Sequence, residues 1–415
     1  MRSKLPRLAI VVFALVLLST LSSCDVGGPL LERFTPTGTY SLSWEALPTV
    51  EGADDLRLGG FTGLWYLGGR EFYTITDRGP VLSGQAGADF VRHAVVPDFT
   101  PEIVKLALQD DGSIKIAERL PLTTPTGVRA SGMPPPAPWG GGETFTNPDT
   151  GHEWGLNPGG LAFHRENNFF WFADHYGPGI YQASAHGQVV RRLRATQGLR
   201  RAYVTRPAEG GLTGIDVEPS GQIVAVMSRA LENRLSVDDA INDSLRRVVR
   251  LNPNTGEERS LFYFVAPESF DGIPASQVEL GGLAVVRNNE YLVTEYADVD
   301  GRSRSLLFAV TVTDTSTQAR PGLEGILGKT IETLTETEWT ESGLFPVAKE
   351  LVADLSKAGI TRPQGLAIVD RRRVAILEGN GYGIEAGDPV SGNYQVRPRD
   401  VRLVVIELEN ELDLQ

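Results

Sequence analysis

Cysteine is nearly absent from this chain of 415 residues: Cys24 is the only one, so no disulfide can form within it. Histidine is scarce as well. The five are His93, His152, His164, His175 and His186, and none stands in the paired spacing of a metal-binding helix. No Gly-x-Ser-x-Gly elbow occurs, which removes the serine nucleophile of an α/β-hydrolase. The stretch GLEGILGKT (322–330) lacks a glycine that a phosphate-binding loop requires, because position 323 is Leu323. Positive charge is in deficit too: 39 Lys and Arg stand against 52 Asp and Glu. Such a surface disfavours nucleic acid, which needs clustered Lys and Arg, and no nucleic-acid partner is expected.

What is present begins with an export signal. Arg2, Lys4 and Arg7 precede an apolar run over 8–21, LAIVVFALVLLSTL, the length of a signal-peptide core and short for a membrane-spanning helix. Leu21-Ser22-Ser23-Cys24 then resembles the box at which bacterial lipoproteins are cleaved and lipidated. The expected division is a leader over 1–23, a tether over 24–37 with Cys24 as the lipidation site, and one domain over 38–410. An ordinary secretory leader is the alternative. The protein is expected to be exported and anchored by lipid, facing the periplasm or exterior. Removing 1–23 takes away three positive charges and no negative ones, so the formal charge goes from −13 to −16.

The 46 Gly and 26 Pro favour many short strands separated by turns. One hairpin design recurs five times: FTGLWYLGGREFYTITD (61–77), NPGGLAFHRENNFFWFAD (157–174), LTGIDVEPSGQIVAVMSR (212–229), LGGLAVVRNNEYLVTEY (280–296) and PQGLAIVDRRRVAILEGN (363–380). Each opens on Gly-Leu or Gly-Ile, turns through polar residues, and carries a second strand to a polar tip. Further strand pairs lie between them, as in IVKLALQDDGSIKIAERL (103–120) and RRVVRLNPNTGEERSLFYF (246–264). A repeat of this length implies a propeller or solenoid, and two inner plus two outer strands make a propeller blade. The predicted fold is an all-β propeller of four-stranded blades. Five blades can be counted, and the gap between Gly63 and Gly160 has room for a sixth. VRLVVIEL (401–408) lacks an obvious partner, which TYSLSWEAL (39–47) would supply, so an N-terminal strand is expected to close the ring with the last blade.

In such a blade the second strand returns to the mouth from which the first departs. The tips should therefore converge: Asp77-Arg78, Asp174-His175, Ser228-Arg229, Glu295-Tyr296 and Glu378-Gly379-Asn380. A ring of carboxylates suits Ca²⁺, which takes six to eight oxygens, so Asp77, Asp174, Glu295, Glu378 and Asn380 are candidate cation ligands. Asp77, Asp174 and His175 are candidates for acid, base or electrostatic roles. Arg78 and Arg229 are candidates for binding an anionic substrate, and His152, just ahead of the second inner strand, is a further one. Acids at strand tips also cap turns, and this reading stands beside the functional one.

The hairpins TGLWYLGGREFYTITDRGP and GGLAVVRNNEYLVTEY, the PQGLAI entry and the leader resemble the phytase-like propeller family, that of esterase-like activity of phytase. The resemblance spans most of the chain beyond the leader. It implies a hydrolase of phosphate or other esters, with calcium as a candidate cofactor and a small anionic ester as substrate. Asp77 and Arg78 occupy its best-matched element, Asp-Arg-Gly-Pro. The Asp-Asp-Pro-Ala-Ile-Trp and Asn-Asn-x-Asp-x-Arg segments of the alkaline phytase propellers have no clear counterpart, GADDLRL (52–58) being only a faint echo of the first. A non-enzymatic binding propeller and a sugar-lactone hydrolase remain as alternatives. Two insertions are expected to carry helices: one starting near Ser236, and an amphipathic one over VAKELVADLSKAGI (347–360) with Gly359 as its C-cap.

Overall fold

A computed structural model describes residues 34–140, 143–147, 151–319 and 326–414. The leader and Cys24 lie outside them. Strand β1 is Phe34–Leu42, and five sheets built on antiparallel hairpins follow, the last of which β1 joins. Sheet one runs β2 (Phe61–Gly68), β3 (Glu71–Thr76), β4 (Glu102–Leu108) and β5 (Ile114–Pro121). Sheet two runs β6 (Pro158–His164), β7 (Phe169–Asp174), β8 (Gly179–Ser184) and β9 (Val189–Ala195), with Gly198–Leu199 added in parallel at its edge. Sheet three runs β10 (Leu212–Val217), β11 (Ile223–Met227), β12 (Leu245–Leu251) and β13 (Glu258–Phe264), edged by Gln318–Ala319. Sheet four runs β14 (Glu279–Arg287), β15 (Glu290–Val299), β16 (Arg302–Thr311) and β17 (Ala348–Asp354). In sheet five, β18 (Gly365–Ile368) and β19 (Arg373–Glu378) pair in turn with β20 (Val401–Leu408) and then with β1, in the order β18-β19-β20-β1. The fold is all-β, as expected.

These sequences become strands because β-branched and aromatic residues suit a pleated surface buried on both faces. Strand β11 is buried at every position and β12 likewise. The turn of the first hairpin is set by Gly69 and Arg70, both at positive φ (55° and 75°), the backbone that a two-residue hairpin loop demands. Every sheet shares an apolar core with the next. Phe172 and Tyr181 of sheet two meet Ile75 and Ile103 of sheet one, while Leu377 and Leu403 of sheet five meet Phe61 and Leu106 of sheet one. The intervening pairs pack in the same way.

The recurring Gly-Leu is explained by how closely the first strands approach. A β-carbon on Gly63 would stand 2.4 Å from the Leu161 nitrogen, one on Gly160 3.1 Å from Gly214, and one on Gly214 2.5 Å from the Gly281 oxygen. One on Gly282 would meet the Leu366 side chain at 2.6 Å, and one on Gly365 the Gly63 oxygen at 2.8 Å. The series of contacts returns to its starting residue. Side chains are excluded there by backbone on the neighbouring sheet. The same level is stitched by hydroxyls: Thr62 Oγ1 donates to Pro158 O (3.1 Å), and Thr213 Oγ1 to Gly159 O (3.2 Å).

Neither predicted helix forms. Ser236 to Asp239 is a turn, closed by the Asp239 amide on the Ser236 carbonyl (3.2 Å) and by the Ser236 amide on Asp239 Oδ2 (2.9 Å). Over 347–360 the chain is strand β17 and then a 3₁₀ turn, Leu355–Ala358, which Gly359 does close at φ 67°. Pairing with the open edge of β16 overrides local helix propensity. The α-helix of the described residues is instead α1 (Glu336–Glu341), started by a capping box between Thr335 and Glu338. The long segment between Gly63 and Gly160 adds, besides β4 and β5, a hairpin over 81–94 edged by Thr144–Phe145.

Candidate active site

One cavity of about 900 Å³ is lined from all five sheets: by Asp77 and Arg78 of sheet one, His175 of sheet two, Ser228 of sheet three, Tyr296 of sheet four, and Glu378 and Asn380 of sheet five. All but Tyr296 are at or just beyond the tip of their second strand; Tyr296 stands opposite Glu279, the first residue of its inner strand, while β15 runs on to Val299.

Asp77 leaves β3 with its amide bonded to the Gly60 carbonyl (2.8 Å). Its Oδ1 accepts from the Tyr382 hydroxyl (2.7 Å) and from the Gly79 amide (2.9 Å). A β-carbon on Gly60 would lie 2.4 Å from that oxygen, so glycine is required where the carboxyl is seated. Burial pushes the Asp77 pKa up to about 6 against the pull of its two hydrogen bonds and of Arg78. It therefore exchanges a proton near neutrality.

Arg78 is nearly buried. It bonds Glu143 Oε2 (2.6 Å) and Glu209 Oε1. Arg92 reaches the same two carboxylates at 3.4 and 3.2 Å, and Arg206 lies 3.7 Å from Glu143 Oε1. Three guanidiniums thus share two carboxylates, the arrangement that makes buried charge tolerable. Glu209 sits in a tight turn at φ 58°. Although burial raises its pKa, Arg78 and Arg92 pull it well below the usual carboxylate range. His175 lines the cavity with Nδ1 buried and unpartnered. Burial, then Arg206, lowers its pKa to about 4, so the ring is neutral at pH 7.

The other candidates are placed differently. Asp174 is fully buried and does not line the cavity; its Oδ2 accepts from the Asn157 amide (2.7 Å) and its Oδ1 has no partner. Glu295 faces the space between sheets three and four, bound to the Tyr263 hydroxyl, the Ala266 amide (3.1 Å) and Lys349 (2.5 Å). Arg229 stands behind the lining, with Nε 3.1 Å from Glu279 Oε1. His152 belongs to a separate cavity beside Phe99, where its Nδ1 accepts from the Trp154 amide (3.2 Å). Glu378 does line the main cavity, but both its oxygens are engaged: Oε1 by the amides of Thr361 (2.6 Å) and Arg362 (3.1 Å), Oε2 by Arg402 (2.9 Å from Nε). Asn380 is buried and holds the backbone, accepting from the Tyr382 amide (3.2 Å) and donating to Leu58 O (3.3 Å).

The expected calcium cage was tested against this arrangement. Among the described residues no three His, Cys, Asp or Glu side chains stand together in a way that could hold a metal ion. Glu209, Glu279 and Glu378 are each committed to an arginine. The donor set does not fit Ca²⁺, and no step is derived through one.

Sequence reasoning passed over Glu143, Glu209, Glu279, Arg362 and Tyr382. Glu209 precedes Gly210-Gly211 and the third inner strand, and Tyr382 stands between two glycines. A glutamate just ahead of the repeat's glycines, as at Glu209 and Glu279, was the available signal.

Comparison with known proteins gives one family. Residues 56–378 match the phytase-like family, described as esterase-like activity of phytase. No curated protein matches. Solved structures that align include the periplasmic gluconolactonase PpgL of Pseudomonas aeruginosa (11% identity, 91% of this chain and 99% of that one, TM-score 0.31). A luciferin-regenerating enzyme aligns at 9% identity (92% and 100%, TM-score 0.36) and a nidogen/laminin complex at 12% (90% and 98%, TM-score 0.35). At these scores the likeness transfers neither fold nor function.

Proposed function

Because the chain belongs to the phytase-like family, we propose that it is an extracytoplasmic hydrolase of phosphate or other esters, working in the cavity where the five strand tips meet. The sheets are read as five blades of a propeller, with β1 completing the fifth; the cyclic glycine contacts and the β1–β20 pairing support this. The observation that carries the hydrolase reading is Asp77. Of the carboxylates lining the cavity, Glu209, Glu279 and Glu378 are tied up by guanidiniums, and Asp298 and Asp400 are exposed at its rim. Asp77 alone is both recessed and free of an ion pair among the described residues, with a pKa of about 6. A carboxyl of that pKa can take a proton from attacking water and return it to the leaving alcohol. Tyr382 and Gly79 fix its Oδ1, so the proton is carried by Oδ2. The cluster of Arg78, Arg92 and Arg206 keeps the wall beside it cationic.

The test is product release by the purified protein from p-nitrophenyl phosphate, phytate, p-nitrophenyl acetate and a sugar lactone, each with calcium and with chelator. Release that Asp77→Asn abolishes supports the reading. No release from any of them by folded protein defeats it and leaves a ligand-binding protein. The leader and Cys24 support a lipid anchor; labelled palmitate that is incorporated equally by Cys24→Ser would refute it.

A further inference from the structure

The arginines around the cavity fall into two groups. Arg78 is bound by Glu143 and Glu209, Arg402 by Glu378, and Arg229 behind them by Glu279. A guanidinium already saturated by carboxylate has little to offer an incoming anion. Arg362 lines the same cavity, and no hydrogen bond or ion pair engages its side chain among the described residues.

Its backbone, by contrast, is held tightly. Glu378 Oε1 accepts the amides of both Thr361 and Arg362, at 2.6 and 3.1 Å. The other oxygen of Glu378 is fixed by Arg402. Pro363 follows and restricts Arg362 to extended backbone, and its carbonyl accepts from Thr294 Oγ1 of sheet four at 3.2 Å. Glu378, a candidate metal ligand by sequence, is thus a clamp whose product is a fixed attachment point for a free guanidinium. Holding a binding group in place before the ligand arrives reduces the entropy lost on association. The ring beside it, Tyr296, has its hydroxyl committed to Glu279 Oε2 (2.8 Å).

We infer that Arg362, and neither Arg78 nor Arg229, is the residue that recognises the ligand's anionic group, a phosphate or a carboxylate, through the two-pronged hydrogen bonding that a guanidinium offers such oxyanions. Taking that ligand to be the substrate rests on the hydrolase reading; the binding itself does not. The substrate class narrows accordingly to esters that carry an anionic group. Arg399 also lines the cavity and, like Arg362, is exposed, but the Glu378 carboxylate that fixes the Arg362 backbone does not reach it, and it serves as the control.

The experiment is calorimetric titration of the full chain with inorganic phosphate and, separately, with succinate. Arg362→Met should weaken binding of whichever anion the wild type takes by about tenfold or more, Arg362→Lys by less, and Arg399→Met by less than about threefold. Glu378→Gln, which keeps the guanidinium but loosens its clamp, should fall between Arg362→Met and wild type. Binding that is undiminished in Arg362→Met, or that is absent for both anions in the wild type, overturns the assignment. Anion binding that depends on Arg362 in a protein without turnover would defeat the hydrolase reading and leave this one standing. Turnover with a KM unmoved by Arg362→Met would do the reverse.

Discussion

Asp77 and Asp174 occupy the same place in successive hairpins, 14 residues after Gly63 and Gly160, yet they end in different surroundings. The cause is the strand that follows. After Asp174 the chain turns back within four residues, and β8 pairs with β7 to its last position, Asp174 against Gly179. The carboxyl is then sealed between β6 and β8. After Asp77 the chain departs through the hairpin over 81–94 and returns only at Glu102, and β4 covers β3 no further than Ile75. Asp77 is left uncovered on the cavity side. Equal sequence spacing fixes which strand tip a residue occupies, and the length of the next connection decides whether it meets ligand or protein.

The contrast can be broken most severely through chemistry. Asp77→Asn should lower kcat/KM for the ester substrate by about 10²–10⁴, the range for loss of a general acid or base, whereas Asp174→Asn should change it by less than about threefold. Equal losses in the two variants would show that the sealed carboxyl acts in turnover.

Stability should reverse the ranking. Asp174→Ala removes the acceptor of the Asn157 amide in a fully buried place and should destabilise by about 2–3 kcal/mol in urea unfolding. Asp174→Asn keeps an acceptor there and should cost under about 1 kcal/mol. Burial holds the Asp174 pKa well above the usual carboxylate range, so a neutral amide is a close replacement.

A further effect is on the pH dependence of stability. Asp77 titrates at about 6 folded against 3.8 unfolded. Below 3.8 both states hold the proton. Between about pH 4 and 6 only the folded state keeps it, so stability falls as pH rises through that window, by about 3 kcal/mol at most. His175 works oppositely: at about 4 folded against 6.5 unfolded, it lets stability rise between those values. The two offset each other in the wild type, so thermal melts should show Asp77→Asn gaining on the wild type as pH climbs from 4 to 6. A difference that stays flat would contradict the elevated carboxyl.

Much of the fold could be read from the sequence because its causes are local. Gly63, Gly160, Gly214, Gly282 and Gly365 recur because backbone meets backbone there, and a side chain at any of them would collide. The strand tips followed from that register. What could not be read was which way each tip residue faces. Glu295 and Tyr296 are adjacent, and alternation sends one between the sheets and the other to the cavity; a shift of one residue reverses them. Glu209 and Arg362 come from connections, whose course depends on the whole assembly, and the strand at 348–354 came from an open edge that no local pattern announces. The carboxylates expected to converge on a cation were taken up separately instead: Glu378 by Arg402, Glu295 by Lys349 and the Tyr263 hydroxyl, and Asp174 by the Asn157 amide, while Asp77 stays in the cavity without an ion pair.

Strands β1 and β20 lie side by side, with Phe34 opposite Leu408. The first strand of the described residues and the last one therefore lie next to each other, and the order in which the chain visits the sheets between them is not set by any strand pairing. A few residues joining Leu408 to Phe34, with a new opening at an outer turn such as that of Gly256, would yield a circular permutant that retains every strand pairing while relocating both ends.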